Sequence, residues 1–196
     1  TPPFSVERYN LNNDIYLEYK AYSSDSALHY LNENMLLARQ LNDKERELKI
    51  QLELSYLLSS IRMYMEAADI LNSIDRQTFP SSLLGHYYTC YEHVYFEAGA
   101  AQPRYKMFAS RYVKLSHAYR DSMQITLDPS SATYLWLRET QLREAGKYDE
   151  ALEFSDRRLA ESSFGTPQYA LVAYQRFRLF ESMGKKDEHL YYLVLS

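Results

Sequence analysis

Glycine and proline are scarce in this chain of 196 residues, at 5 and 6 copies, and most prolines fall between stretches of helical periodicity. So few turn-formers over such a length argue against many short strands and in favour of long helices. The single cysteine, Cys90, excludes an internal disulfide. No apolar run approaches bilayer-spanning length, and Thr1-Pro2-Pro3 does not open a signal peptide. Charge of one sign is also missing: 22 basic and 26 acidic residues are interspersed, for a net charge of −4. Without a basic block there is no phosphate-binding footprint, which makes nucleic acid a poor partner for this segment. Glycine-rich phosphate loops, nucleophile elbows and paired-histidine zinc motifs are all absent. With no converging nucleophile and base, the chain reads as a binding module rather than an enzyme, and no cofactor is implied.

What the chain does have is apolar residues at 46%, enough for a packed core, and 20 tyrosines, about one residue in ten. Tyrosine offers apolar area with a polar tip, suited to helix packing and to wet binding surfaces. Helical stripes recur, as in Leu28, Leu31, Met35 and Ala38, and again in Ile50, Leu54, Leu57, Leu58 and Ile61. Capping residues punctuate them: Asn42-Asp43, Pro80-Ser81-Ser82, Asp128-Pro129-Ser130-Ser131, and Thr166 ahead of Pro167. The pattern predicts about ten helices, at 5–22, 25–41, 44–61, 65–75, 81–98, 103–125, 131–145, 148–163, 167–183 and 187–195, and no sheet. It continues through Tyr191-Tyr192-Leu193-Val194-Leu195-Ser196 without a stop signal, so a segment of a longer protein is expected.

The helices pair, and the pairs repeat. Tyr64-Met65-Glu66-Ala67-Ala68-Asp69-Ile70-Leu71 recurs as Tyr148-Asp149-Glu150-Ala151-Leu152-Glu153-Phe154. Weaker copies stand at Asp25-Ser26-Ala27-Leu28-His29-Tyr30 and Lys186-Asp187-Glu188-His189-Leu190-Tyr191. Aligned positions 27, 67, 151 and 189 imply units of about 39 residues, with a diverged unit in the middle gap. Five units follow, at approximately 5–41, 44–75, 81–125, 131–163 and 167–196, forming one domain.

The octet resembles the start of the second helix of a tetratricopeptide (TPR) repeat. Ala27, Ala67 and Ala151 match the small residue at the helix crossing, and Gly146 and Gly184 match the turn glycine. Leu54, Leu58, Leu135 and Leu142 match apolar positions of the first helix. Arg138 and Glu139 depart from the pattern, standing where an apolar–small pair is usual. The resemblance implies an all-α, TPR-like α-α superhelix, a right-handed solenoid of about five helical hairpins.

A second resemblance covers nearly the whole chain. Glu18-Tyr19-Lys20, Asp25 to Tyr30, Leu71-Asn72-Ser73-Ile74-Asp75-Arg76, Ala118-Tyr119-Arg120-Asp121-Ser122 and Gly146 to Ala151 look like a family of bacterial membrane-anchored regulators. Its members carry a signal peptide, this repeat region outside the inner membrane, one transmembrane helix, and a regulatory end inside. That likeness implies a periplasmic sensor or interaction region, with any membrane contact made by a segment outside this sequence.

In TPR arrays the first helix of each unit lines a concave groove. That register points Tyr9, Asn12, Asn13, Tyr16, Tyr19 and Lys20 inward, then Tyr56, His86 and His93, then Trp136 and Arg143, and finally Tyr174 and Arg178. Aromatics with Asn, His and Arg are the residue types that carry binding energy in grooves. The partner implied is a protein, a peptide or a small ligand. The competing reading gives half of these tyrosines to packing between units. Tyr16, Tyr56, Trp136 and Tyr174 are expected to be partly exposed on one side. The run Glu97-Ala98-Gly99-Ala100-Ala101-Gln102-Pro103 is where a loop could enter the groove.

His86, Cys90 and His93 fall at i, i+4 and i+7, with Glu97 extending the row, a spacing that could grip zinc. One helix would then supply every ligand, so a small buried cysteine flanked by two groove histidines is the simpler account, and no metal is expected. The alternatives to a regulator's sensor module are a passive scaffold for a multi-protein complex and, well behind, a metal-dependent hydrolase.

Overall fold

The computed structural model describes residues 5–101 and 104–196. Thr1-Pro2-Pro3 and the expected helix start at residue 103 lie outside these. Among the described residues there are ten α-helices and no strand. They are α1 (Val6–Tyr19), α2 (Ser24–Gln40), α3 (Lys44–Ser60), α4 (Tyr64–Asn72), α5 (Leu84–Ala100), α6 (Lys106–Thr126), α7 (Ala132–Glu144), α8 (Tyr148–Ala160), α9 (Pro167–Met183) and α10 (Lys186–Leu195). A 3-10 turn, Ser81–Leu83, precedes α5. Each odd-numbered helix pairs with the next, giving five hairpins. The chain forms two compact units, residues 1–126 and 127–196.

The helix starts follow from the caps. Asp43 Oδ1 accepts the Arg46 N–H at 3.0 Å, Ser131 Oγ that of Tyr134 at 3.2 Å, and Thr166 Oγ1 that of Tyr169 at 3.2 Å. Each satisfies one amide that the first turn leaves without a helical partner. Of the run where a loop could enter the groove, Glu97 to Ala100 continue α5, and Gln102-Pro103 lie outside the described residues.

In the first unit, stripes from successive hairpins merge into continuous cores. Tyr9 and Tyr16 of α1 pack with Ala27, Leu31, Met35 and Ala38 of α2 and with Ile50 and Leu57 of α3. The other side of α3 contributes Leu52 to a second cluster with Ala67 and Leu71 of α4 and Tyr87, Cys90, Tyr91 and Val94 of α5. Within this unit each hairpin therefore buries its apolar face on the next, which is how a repeat array acquires a core that no single hairpin could supply. In the second unit Leu142, Ala151 and Leu179 play that part for α7, α8 and α9.

The aligned small residues lie inside their hairpins. Ala27, Ala67 and Ala151 are all fully buried, and Ser55 Oγ of α3 donates to the Ala67 carbonyl across its hairpin at 3.0 Å. Five residues ahead of positions 67, 151 and 189 the chain turns in the left-handed region, at Arg62 (φ 69°), Gly146 (φ 73°) and Gly184 (φ 71°). A Cβ on Gly146 or Gly184 would meet nothing within 4 Å, so the dihedral and not crowding selects glycine there. Arg62 bears the strain its counterparts avoid. Arg62→Gly is expected to raise stability by about 0.5–1 kcal/mol, the αL cost less the extra entropy of an unfolded glycine. Urea denaturation at constant slope would show it.

Glu139, the departure from the repeat pattern, is also accounted for. It is buried at the small-residue position of α7, and Arg158 Nη1 of α8 reaches its Oε2 at 2.6 Å. The first unit repeats the arrangement, with Glu92 of α5 held by Arg120 Nε of α6 at 2.8 Å and by the Ser116 hydroxyl at 2.9 Å. Two hairpins thus bury a carboxylate on the first helix, each paired with an arginine from the second.

Candidate functional site

The first unit concentrates polar and aromatic groups where α1, α3 and α5 meet, with Glu53 of α3 at the centre. Its Oε2 accepts the Tyr16 hydroxyl and lies 2.9 Å from Lys20 Nζ, both from the end of α1. Its Oε1 lies 3.4 Å from His86 Nε2 of α5. One turn along α3, the Tyr56 ring stacks on His93 with centroids 3.9 Å apart and planes 10° from parallel. Lys20 Nζ stands 5.0 Å from the Tyr56 centroid and 5.5 Å from that of Tyr16, within cation–π range. Ser60 closes the row. Its hydroxyl donates to the Tyr56 carbonyl at 3.0 Å and stands 3.0 Å from His93 Nε2.

Burial works against charge throughout this cluster. It pushes the Glu53 carboxyl up, but Lys20, His86 and the hydrogen bonds from Tyr16 and Lys20 more than offset it, so the group ends below the usual carboxylate value. The same desolvation lowers His86, against a pull from Glu53, and lowers His93 to about 4, helped by the positive charge of Lys20. The Tyr56 phenol is pushed up to about 12 by burial, then by the neighbouring acidic groups. Near neutral pH the face therefore carries one anion, one cation and a neutral Tyr56–His93 stack.

A pH dependence follows. His93 ionises at an ordinary value near 6.5 in the unfolded chain but near 4 in the folded one. Its contribution to stability is thus complete above pH 6.5 and is lost as pH falls toward 4, where the unfolded chain binds the extra proton first. The melting temperature should fall across this interval. His93→Phe, which keeps the stack but cannot titrate, should flatten that part of the profile.

The residues assigned to the groove differ in exposure. Asn13, Tyr19, Tyr56, His86, His93, Trp136 and Arg143 are half-buried, and Tyr174 and Arg178 are exposed. Tyr9, Asn12 and Tyr16 are instead buried, Tyr16 to 1% exposure, which corrects the expectation that Tyr16 is partly open. The physical reason is that Tyr9 and Tyr16 line the side of α1 that packs on α2 and α3, filling the first core cluster with their rings. Only the Tyr16 hydroxyl reaches the polar face. Tyr19 stacks on Tyr30 of α2 at 5.9 Å and serves hairpin packing.

Trp136, Arg143, Tyr174 and Arg178 belong to the second unit. There Tyr174 lies beside Phe177, at 5.7 Å, and Arg178 pairs with Glu181 at 3.3 Å. Of the thirteen residues assigned to a groove, Tyr16, Lys20, Tyr56, His86 and His93 meet around Glu53 in the first unit.

Cys90 does not join a row with its neighbouring histidines. It is fully buried, its thiol donates to the Leu52 carbonyl at 3.3 Å, and burial holds it well above the ordinary thiol value. His86, Cys90 and His93 face three different partners, and among the described residues no group of three or more His, Cys, Asp or Glu converges on a metal position.

Glu53, the centre of the cluster, was not singled out from the sequence. The signal was present: it lies three residues before Tyr56, so a register that turns Tyr56 toward the groove turns Glu53 with it.

Comparison with curated proteins and with solved structures finds no match. The family model described as the SusR N-terminal TPR domain matches residues 3–196, nearly the entire chain. The repeated hairpins, the buried crossing alanines and this match agree, and the chain belongs to the family of SusR N-terminal TPR domains.

Proposed function

We propose that this chain is the extracytoplasmic interaction module of a membrane-anchored regulator, and that it works by binding a ligand on the face formed by α1, α3 and α5. The module is non-catalytic: it offers a shaped surface and no reacting group. One observation carries the reading. Stability alone would favour apolar contacts between α1, α3 and α5, yet the chain puts Lys20, Glu53 and His86 there beside a half-buried Tyr56–His93 stack. Partly open charges and aromatic faces are the means by which a surface selects a partner.

The membrane and periplasmic parts of the proposal rest on resemblance. Among the described residues no helix is long and apolar enough to cross a membrane, so an anchor would have to lie outside them. Within the first unit each hairpin packs on the next, so filling this face would bias the angle between them, a route by which binding could reach the rest of a regulator.

The test uses the intact parent protein in its own cells. Tyr56→Ala and Glu53→Gln should abolish or strongly reduce its regulatory response while leaving its abundance unchanged. An undiminished response in both variants would overturn the assignment of this face. A reporter enzyme active only outside the cytoplasm, fused after Ser196, should be active, and an inactive fusion would overturn the location.

A further inference from the structure

The corner between Tyr16, Glu53 and Tyr56 has the parts of an ammonium receptor: one carboxylate and two aromatic rings around a single positive nitrogen. Lys20 supplies that nitrogen from within the chain, 2.9 Å from Glu53 Oε2, 5.0 Å from the Tyr56 centroid and 5.5 Å from the Tyr16 centroid. The corner opens to solvent at Lys20 and Glu53, whose side chains are 33% and 24% exposed, while the Tyr16 ring is buried. Lys20 is the C-cap residue of α1, just past its last helical residue, and the two residues after it, Ala21 and Tyr22, are exposed. Its side chain can therefore leave without disturbing a helix.

If Lys20 does leave, Glu53 keeps the Tyr16 hydroxyl and His86 but loses its one full positive charge. A half-buried carboxylate facing aromatic rings then attracts any cation small enough to enter. Cation–π attraction depends on charge and distance more than on bond direction, so a tethered and a free ammonium are interchangeable there. An anion would meet Glu53, and a neutral ligand would leave that carboxylate unneutralised.

We propose that this corner binds a small organic ammonium ion, and that Lys20 occupies it as an internal surrogate which the ligand displaces. The inference rests on the proposed function of this face and gives it a ligand class. Displacing Lys20 frees the end of α1 from α3, so binding loosens one contact between the first two hairpins as it fills the corner.

The test is thermal denaturation of the full chain carrying Lys20→Ala, titrated with n-propylammonium chloride, which restores the missing stem and charge. The variant's melting temperature should rise saturably with propylammonium and stay flat with equal sodium chloride or 1-propanol. Wild type should need at least roughly ten-fold more, because its tethered lysine competes at a millimolar-scale effective concentration. Adding Glu53→Gln to the variant should abolish the response. Equal responses in wild type and Lys20→Ala, or a response surviving Glu53→Gln, would overturn the proposal.

Should Lys20→Ala not fold, Lys20→Met retains the stem and is judged by whether cadaverine protects it more than it protects wild type; equal protection overturns the proposal. In wild type, cadaverine against Nα-acetyl-lysine amide separates a free amine from a polypeptide's lysine as the source, and binding of neither overturns the proposal. If ammonium ions fail but a neutral or anionic compound shifts Tyr56 and His93 resonances, the binding face stands and only its ligand class falls.

Discussion

Replacing Arg158 with alanine should lower the stability of the protein by about 3–5 kcal/mol, the largest single effect expected here. Arg158 and Glu139 are 3% and 4% exposed, so neither can recover by turning to water. Arg158 also donates to Gln175 of α9, tying the first hairpin of its unit to the second. Removing the guanidinium strands a buried carboxylate. Burial already raises Glu139 above its ordinary value, and without Arg158 it would rise further, because the charge that pulls it down is gone.

The sign with pH follows from that rise. A carboxyl whose folded-state value exceeds its unfolded one costs least when protonated in both states, so the variant's deficit should be small near pH 4 and grow toward pH 8. The double change Arg158→Leu/Glu139→Leu should recover much of the loss, since an apolar pair of similar volume avoids both desolvation costs. Chemical denaturation of the three variants at pH 5 and pH 8 checks all of this. A loss below about 1 kcal/mol at pH 8 would show that the pair is not buried as described.

Enlarging Ala151 to leucine should cost about 1–3 kcal/mol through overpacking. Ala151 has no exposed surface and sits against Leu142 of α7 and Leu179 of α9, so three more carbons must push one of these helices aside. Ala67→Leu should behave alike in the first unit, where the Ser55–Ala67 contact sets the approach of α3 and α4. Thermal melts of each variant measure the cost. Full tolerance of both would mean that the small residues do not mark helix crossings.

Much of this architecture was written in short-range features. Asp43, Ser131 and Thr166 are polar residues whose hydrogen bonds span only three residues, so the helix starts could be read without knowing what packs where. The crossing alanines recur at fixed spacing because each hairpin repeats one steric requirement. Position 189 shows the limit of that rule. Its histidine is half-buried, 4.3 Å from Phe177, in the hairpin whose α10 leaves Leu190, Tyr191 and Val194 exposed.

Which face of a helix meets a groove was much less legible. On a first helix, packing and groove faces lie about 100° apart, a displacement of one residue. Tyrosine suits both, and Tyr16 uses both: its ring is in the core while its hydroxyl reaches Glu53. The Glu53 cluster depends on Lys20, Tyr16 and His86 arriving from other helices, contacts of 33 to 37 residues' separation that periodicity within one helix does not encode. The buried Glu139–Arg158 pair was visible only as a break in the repeat pattern, because its partner stands on the opposite helix.

The central claim is that the α1–α3–α5 face of the first unit is where this module works. Amide and aromatic NMR of the labelled chain, against a panel of small amines, neutral metabolites and short peptides, tests it most directly. Saturable ligands should perturb Tyr16, Lys20, Glu53, Tyr56, His86 and His93 together, and Tyr56→Ala should remove the effect while the remaining spectrum stays folded. Perturbations confined to the apolar notch of about 340 Å³ lined by Phe164, Tyr169 and Val194 in the second unit, and unchanged in Tyr56→Ala, would contradict it.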